Sequence, residues 1–195
     1  FQYHAMPKTP LLKKELPSDE VIIAQTQAWV KNVVVGCNFC PFASREVQRG
    51  SIRYTVIHSE DMEICMEAMF AECELLDGDE RIETTLVIFP GMFRQFKDYL
   101  ELIESCEDML EDNDYEGIYQ VAGFHEDYQF ADAPADDPAN FTNRSLYPML
   151  HLLRESSLDK ALENYPDPEN IPHRNMEYAR KQGLVQMKLL RDSCW

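Results

Sequence analysis

The sequence is poor in basic residues, and this shortage excludes several classes of partner. The chain has 18 Lys and Arg residues against 35 Asp and Glu residues, which gives a formal net charge of −17. Nucleic acids and anionic membranes are bound by clustered basic side chains, and the sequence contains no such cluster. A long apolar run is also missing, since none approaches the roughly 18 residues of a membrane-spanning helix. We therefore predict no nucleic-acid partner and no membrane partner.

The sequence also lacks the cysteine pattern of a disulfide-stabilised or metal-binding protein. Its six cysteines are spread over a chain long enough to bury a core without covalent cross-links. Cys37-Asn38-Phe39-Cys40 forms one CxxC, but zinc would require a second pair of ligands, and no second CxxC or HxxxH is present. No secretory leader pattern is visible, so we expect free thiols in a reducing cytoplasm.

The first residues have the features of an added tag. Phe1-Gln2-Tyr3-His4-Ala5 resembles the remnant of a tag-cleavage sequence, so Met6 is expected to be the native start and the preceding stretch is excluded as a site. Residues 6–17 hold three prolines and are expected to be extended. The predicted organisation is a tag remnant and arm over residues 1–17, followed by a single α/β domain over residues 18–195.

Hydrophobic periodicity predicts alternating helices and strands in the first two thirds of the chain. Ser18 is a good N-cap for a first helix that ends at Gly36, although Val33-Val34-Val35 could instead form a short strand. Three segments rich in β-forming residues are predicted strands: residues 52–58, 84–89 and 118–124.

Two further helices are predicted between these strands. The apolar residues of each helix recur at helical spacing on one face. They are Met62, Cys65, Met66, Met69, Cys73 and Leu76 in the first helix, and Met92, Phe96, Tyr99, Ile103, Cys106 and Leu110 in the second. Cys65, Cys73 and Cys106 are therefore predicted to be buried core residues and not ligands.

The order strand, helix, strand, helix, strand predicts right-handed crossovers and parallel pairing. The carboxyl ends of the strands, near His58, Pro90 and His125, should then lie along one edge of the sheet. Pro148 suits the first position of a further helix, and the rest of the chain is expected to form several short helices. The predicted fold class is α/β, with a small, mostly parallel sheet of three or more strands, flanked by helices and followed by a C-terminal helical segment.

Chemically useful side chains are concentrated in and after the loop that follows the third predicted strand, where α/β proteins often place their sites. His125 ends that strand and is a candidate general acid or base. The alternative is a loop histidine that is bonded to a neighbouring carboxylate such as Glu126 or Asp127.

The segment from Asn143 to Arg154 contains the second group of candidates. His151 and Arg154 are three residues apart and should share a face of the predicted helix. Asn143, Arg144 and Ser145 precede that helix and could hold an anion together with its free amide hydrogens. Hydrogen bonds that anchor the loop are the alternative role for these three residues.

Cys40 is the third catalytic candidate. With Pro41 at the first helical position, its sulfur would lie at the start of a short helix that ends at Gln48, where the thiolate is favoured and the thiol pKa is lowered. The alternative is a small buried side chain that packs between Phe39 and Phe42.

A family resemblance extends over nearly all of residues 20–183. The residues that carry it are Cys40-Pro41-Phe42-Ala43, Thr84-Thr85-Leu86, His125-x-x-Tyr128-x-Phe130, Asn143-Arg144-Ser145-x-Tyr147-Pro148-x-Leu150-His151-Leu152-Leu153-Arg154-Glu155 and Ile171-Pro172-x-x-Asn175. In these residues the chain resembles the bacterial domain-of-unknown-function family numbered fourteen-fifteen. The resemblance implies no reaction, cofactor or partner.

Our leading functional hypothesis is a cytoplasmic protein that binds a small anionic metabolite at the carboxyl ends of the strands. Arg144 and Arg154 would hold the anion, and any proton transfer or nucleophilic chemistry would fall to three residues. The complete set of candidates comprises His125, His151 and Cys40 as catalytic residues, and Tyr128, Asn143, Arg144, Ser145 and Arg154 as ligand-binding residues.

We also predict that these groups converge in space. Long and charged side chains near apolar walls need polar partners, so His125, Asn143, Arg144, His151 and Arg154 are expected around a single polar cavity. A metal-dependent enzyme that uses His125, His151 and either Asp127 or Asp136 is a second hypothesis. A non-enzymatic interaction protein whose polar loop is purely structural is the third. The sequence specifies neither a cofactor nor an oligomeric state.

Overall fold

A computed structural model describes residues 15–195. The predicted tag remnant and most of the predicted arm, residues 1–14, lie outside the described residues. Within this range no helix is long and apolar enough to cross a bilayer. The α-helices are α1 (Asp19–Trp29), α2 (Ala43–Arg49), α3 (Met62–Gly78), α4 (Phe96–Asp112), α5 (Glu155–Glu163), α6 (Ile171–Gln182) and α7 (Leu184–Asp192), and the strands are β1 (Ile52–Val56), β2 (Thr84–Ile88), β3 (Tyr119–Phe124) and β4 (Met149–Arg154).

The first helix begins as the sequence predicts but ends differently. Ser18 is its N-cap, and the Ser18 Oγ accepts a hydrogen bond from the Val21 backbone N–H at 3.4 Å. From α1 the chain continues without a break into a π-helix at Val30–Val35, so the alternative strand over residues 33–35 is wrong. Val33 and Val34 are buried beside Trp29, and together these residues place a continuous apolar helical surface on the sheet.

The four strands form one sheet in the order β1-β2-β4-β3. β1 pairs with β2 in parallel, whereas β4 lies antiparallel between β2 and β3. The three predicted strands are therefore confirmed, and all three run in the same direction. The prediction of a mostly parallel sheet is wrong, because only the β1–β2 pairing is parallel.

The error concerns residues 149–154, which form β4 and not the predicted helix. This segment is apolar on both sides, and a strand that is covered on both faces cannot be told from a buried helix by periodicity. Pro148 precedes the strand, and its carbonyl accepts a hydrogen bond from the Phe89 N–H at 2.9 Å. Proline is tolerated at such a position because the start of a strand does not require its missing N–H.

The predicted alignment of the strand ends is confirmed. Val56 at the end of β1 pairs with Ile88 at the end of β2, and Met149 pairs with both Ile88 and the final residue of β3. His58 and His125 follow β1 and β3 along the chain, so they lie at the same edge of the sheet.

Helices cover both faces of the sheet, and each face has its own apolar core. On one face α3 and α4 bury Met69 and Leu102 against the strands. On the opposite face the core includes Trp29 of α1 and Met187 of α7. The C-terminal helical segment is therefore confirmed, and it forms part of the second layer.

The prediction that Cys65, Cys73 and Cys106 are buried core residues is confirmed. All three are free thiols with no exposed surface. Burial raises the pKa of Cys73 and Cys106 to about 12 and also raises the pKa of Cys65. These thiols are therefore protonated at neutral pH and pack as small apolar side chains.

Thr85 on β2 offers a test of the core that faces α3 and α4. Within residues 15–195, its Oγ1 is the single fully buried side-chain oxygen or nitrogen without a hydrogen-bond partner. Thr85→Val removes the unpaired hydroxyl and keeps the shape, so it should raise the free energy of unfolding by about 1 kcal/mol. Denaturant titration of both proteins measures the change, and a less stable variant would contradict the absence of a partner.

Candidate functional site

A partly open cavity of about 260 Å³ lies between the sheet and the helices that cover the Trp29 face. Its wall consists mostly of apolar side chains. The strands contribute Ile52, Thr84, Leu86, Phe124, His151 and Leu153, and the helices contribute residues that include Trp29, Val30, Val34, Ala43, Leu158 and Ala161.

The cavity extends from the amino ends of β1 and β2 to the carboxyl end of β3. Ile52 and Thr84 are the first residues of β1 and β2, whereas Phe124 is the last residue of β3. The cavity is therefore not confined to the carboxyl ends of the strands, where the site was predicted. The antiparallel β4 explains how His151 reaches it, because the last residues of β4 pair with the first residues of β2.

His151 is held in the cavity wall by a short chain of hydrogen bonds. Its Nε2 lies 2.7 Å from the Thr84 Oγ1, and the Thr84 hydroxyl also bonds to the carbonyl oxygen of Leu152. A hydroxyl has one hydrogen to donate, and a carbonyl oxygen can only accept. Thr84 therefore donates to Leu152 and accepts from the Nε2–H of His151. It follows that Nδ1 is the unprotonated ring nitrogen.

The Nδ1 of His151 lies at the end of this series of hydrogen bonds. None of the residues from 15 to 195 hydrogen-bonds to it, and it is not fully enclosed by protein atoms. The ring packs against Phe124, with 5.9 Å between the ring centroids. Burial lowers the pKa of His151 to about 4. At neutral pH the cavity therefore contains an uncharged imidazole with a free hydrogen-bond acceptor.

Cys40 lies in the same cavity wall. Burial is the largest effect on this thiol and raises its pKa, although the nearby backbone N–H groups of Phe42 and Ala43 favour the thiolate. The predicted lowering of this pKa is therefore wrong. The helix begins at Ala43 and not at Pro41, and it has only seven residues, which leaves little helix dipole at the sulfur. Cys40 is a protonated thiol at neutral pH.

Two carboxylates add negative charge to the wall. Glu46 accepts a hydrogen bond from the Ser51 hydroxyl, and its Oε1 lies 3.6 Å from the Arg49 Nη1. Glu83 precedes β2 and also lines the cavity. Arg154 is the single basic residue among the described lining residues.

Arg154 contributes to the wall, but its guanidinium makes its hydrogen bonds elsewhere. The Nη2 donates to the carbonyl oxygens of Leu76, Asp79 and Ile82, and the Nε donates to Ile82 as well. Successive side chains of a strand point to opposite faces, so residues three apart on β4 do not share a face. The prediction that His151 and Arg154 do so is wrong. Arg154 instead satisfies carbonyl groups at the end of α3.

Arg144 stabilises the loop between β3 and β4. Its Nε donates to the carbonyl of Tyr128 at 2.9 Å, and its Nη2 donates to the carbonyl of Ala135 at 2.8 Å. The guanidinium carbon lies 5.0 Å from the centroid of the Phe141 ring. Burial lowers the pKa of Arg144. These contacts occupy much of the guanidinium with backbone carbonyls of its own loop.

The neighbours of Arg144 have the same role. The Asn143 Nδ2 donates to the carbonyl of Gly123 at 3.1 Å, which connects the loop to β3. The Ser145 hydroxyl is buried and donates to the carbonyl of Tyr147 at 2.6 Å. These contacts of Asn143, Arg144 and Ser145 are hydrogen bonds that anchor the loop, which is the alternative role predicted for the three residues.

His125 is enclosed beneath this loop with none of its surface exposed. Its Nε2 donates to the carbonyl of Phe93 at 2.7 Å, and its Nδ1 accepts from the Asp127 N–H at 2.9 Å. The ring packs against Tyr99 and Phe96, with centroid distances of 4.8 and 5.3 Å. Burial lowers the pKa of His125. Neither ring nitrogen is available to a ligand in this arrangement.

The predicted convergence on one polar cavity is not found, because the candidates divide into two groups. Cys40, His151 and Arg154 line the cavity. The remaining candidates belong to the loop that follows β3, whose second half, residues 139–148, is mostly buried, so that its backbone groups need polar partners. This second group comprises His125, Tyr128, Asn143, Arg144 and Ser145.

The metal-site hypothesis gains no support from the described residues. Within residues 15–195 no group of three or more His, Cys, Asp or Glu side chains is placed to hold a metal ion. His125 and His151, the two predicted ligands, lie in different parts of the fold, and both nitrogens of His125 are engaged.

Sequence reasoning missed Thr84 and Trp29 as residues of the site. Thr84 begins a predicted strand and Trp29 lies within the first predicted helix, and the structure confirms both elements. A polar residue at the start of an apolar strand was the available signal for Thr84. Its partner His151 is 67 positions away, and no local pattern reports a pairing over that distance.

Comparison with known proteins gives a family match for most of the chain. A family model described as protein of unknown function (DUF1415) matches residues 21–189. No curated protein and no solved structure matches the chain. The matched range includes all four strands and the whole cavity wall.

Proposed function

The chain belongs to the family described as protein of unknown function (DUF1415), and we propose that this member binds a small, uncharged, mainly apolar molecule in the cavity between the sheet and α1. The observation that supports the proposal is the composition of the cavity wall. It combines apolar side chains with a neutral imidazole at His151 and a protonated thiol at Cys40.

The volume limits the size of the ligand. An apolar cavity of about 150 Å³ is large enough for benzene, and pockets for drug-sized ligands begin at about 300 Å³. A cavity of about 260 Å³ therefore suits one aromatic ring with a short substituent, or a short acyl chain.

The charges near the cavity favour a neutral ligand over the anion of our first hypothesis. Glu46 and Glu83 lie in the wall and would repel an anion. Arg144 lies outside the wall, and both arginines of the predicted clamp donate to backbone carbonyls. An anion in the cavity would have no arginine pair to neutralise it.

The same wall favours binding over catalysis. An imidazole whose pKa is lowered to about 4 is a weak base at neutral pH. A protonated, half-buried thiol such as that of Cys40 is a weak nucleophile. Catalytic roles for His125, His151 and Cys40 stay predictions.

Fluorescence of Trp29 provides a direct test of binding. Trp29 lines the cavity, and the chain has one other tryptophan, the exposed Trp195. In a Trp195→Phe background, toluene should produce a saturable change in tryptophan emission, because the ligand would contact the Trp29 indole. Benzoate, a similar ring with a negative charge, should bind at least about tenfold more weakly. Binding of benzoate in preference to toluene would support the anion hypothesis instead.

Cavity-filling variants locate the binding. Ala161 lies in the wall on α5, so Ala161→Phe should abolish the toluene response. Leu158→Phe repeats the test from the same helix if the first variant is unstable. Ala71 is exposed on α3, on the far side of the sheet, and Ala71→Phe should leave the response unchanged. No toluene response, or a response that survives both filling variants, would overturn the proposal.

A further inference from the structure

We infer that the molecule in the cavity is recognised through a hydrogen bond that it donates to the Nδ1 of His151. The site would then select ligands that carry a hydroxyl or amide N–H over ligands of the same shape without a donor. This inference rests on the proposed function, which concerns the cavity as a whole and no particular polar group.

The geometry gives the direction of this hydrogen bond. The Thr84 hydroxyl gives its hydrogen to Leu152 and accepts the Nε2–H of His151, so the opposite ring nitrogen has a lone pair and no hydrogen. A ligand can therefore approach Nδ1 as a donor and not as an acceptor.

Two other polar residues of the wall, Cys40 and Glu46, are less suited to this recognition. Burial raises the pKa of the Cys40 thiol, so its sulfur is protonated at neutral pH and is a weak acceptor. Glu46 accepts the Ser51 hydroxyl and faces Arg49. His151 is the wall residue whose unprotonated ring nitrogen has no partner among residues 15–195.

Selectivity follows from the apolar surroundings of Nδ1. A ligand without a donor would displace water from Nδ1 and leave a polar atom unpaired in an apolar cavity, which is costly. A ligand with a donor replaces the lost water hydrogen bond. Removal of the acceptor should therefore lower the affinity for a hydroxyl-bearing ligand by about tenfold relative to the affinity for its methyl analogue.

Thr84 acts through His151 as a positioning residue. Its hydroxyl accepts from Nε2–H and so favours the tautomer in which Nδ1 is free. Thr84→Val keeps the shape of the side chain and removes this preference. The imidazole can then place its hydrogen on either nitrogen, and selectivity for a donor should fall by about threefold.

Phenol and toluene provide the matched pair of probes, because a hydroxyl in one replaces a methyl group in the other. The measured quantity is the ratio of phenol affinity to toluene affinity, obtained from Trp29 fluorescence in the Trp195→Phe background. The ratio should fall by about tenfold in His151→Phe and by about threefold in Thr84→Val. Thr85→Val is the matched control, since the same change one residue along β2 lies on the opposite face, and its ratio should stay unchanged.

Nitrogen NMR of the histidine ring gives a readout that does not depend on a stable His151 variant. In the unliganded protein the Nε2 of His151 should carry the proton and Nδ1 should have the shift of an unprotonated nitrogen. Phenol should move the Nδ1 resonance upfield, as a new hydrogen bond requires, and toluene should not. In Thr84→Val the two nitrogens should give averaged shifts.

The outcomes separate the two proposals. If toluene binds but the ratio is the same in wild type, His151→Phe and Thr84→Val, the inference about His151 is overturned and the proposed function stands. A protonated Nδ1 in the unliganded protein would likewise overturn it. If neither phenol nor toluene binds the wild-type cavity, the proposed function fails, and the inference fails with it.

Discussion

Lowering the pH from about 6.5 to about 4 is expected to reduce the free energy of unfolding by about 3 kcal/mol through His151 alone. Burial lowers the pKa of this imidazole to about 4 in the folded protein, whereas an unfolded chain has an ordinary histidine pKa near 6.5. Above about pH 6.5 the ring is neutral in both states, so it adds no pH dependence to the free energy of unfolding. Between the two values the unfolded chain takes up a proton that the folded protein does not, so stability falls as the pH falls.

Denaturant titrations of wild type and His151→Phe over this pH range measure the effect. The many carboxylates also titrate in acid, but they are common to both proteins, so the difference between the two curves isolates His151. The stability of wild type relative to the variant should decline by about 3 kcal/mol from pH 6.5 to pH 4. If the free energies of unfolding of wild type and His151→Phe change equally with pH, the prediction is wrong. The imidazole of His151 would then have the same pKa in the folded and unfolded states.

His125→Ala is expected to lower the free energy of unfolding by about 3–5 kcal/mol, as for loss of a large buried ring. The ring is fully buried, and its loss leaves the carbonyl of Phe93 and the N–H of Asp127 without partners. Phe93 has a φ of 62°, a left-handed conformation that is costly for a bulky residue and requires support from its surroundings. The hydrogen bond from His125 to the Phe93 carbonyl is part of that support.

Chemical denaturation measures this loss, and toluene binding distinguishes structure from recognition. His125→Ala protein that remains folded should bind toluene with wild-type affinity, because His125 is not in the cavity wall. His58→Ala removes an exposed histidine that bonds to Asp19 at the same sheet edge, and it should change stability by less than about 1 kcal/mol. A small effect of His125→Ala on stability, with a large effect on binding, would return His125 to the list of site residues.

The strands that the sequence predicts correctly are those with a local signature. β1, β2 and β3 are short, rich in β-forming residues and separated by helices with a clear apolar face, so Cys65 and Cys106 could be assigned to the core in advance. β4 has no such signature, because Leu150 and Leu152 face one core while Met149 faces the other. Its insertion between β2 and β3 depends on pairings with distant residues, which periodicity does not report.

The candidate site was predictable in part, and for a specific physical reason. A binding site and a buried loop both require long polar side chains beside aromatic residues, so Arg144 and Asn143 fit either role in the sequence. Their hydrogen bonds to Ala135 and Gly123 decide between the roles, and these depend on where the backbone carbonyls point. His151 is a sequence candidate that lines the cavity, but its pairing with Thr84 could not be foreseen while residues 149–154 were predicted to be a helix.

The central position of β4 has a consequence for the order in which the protein can assemble on the ribosome. β1 and β2 can pair as soon as they emerge, but β3 lacks a neighbour until residues 149–154 follow, because β4 is the strand that joins it to the sheet. A nascent chain that ends before β4 presents the unpaired edges of both β2 and β3 to other molecules. Completion of the sheet is therefore a late, non-local event, and the interval before it is when aggregation competes with folding.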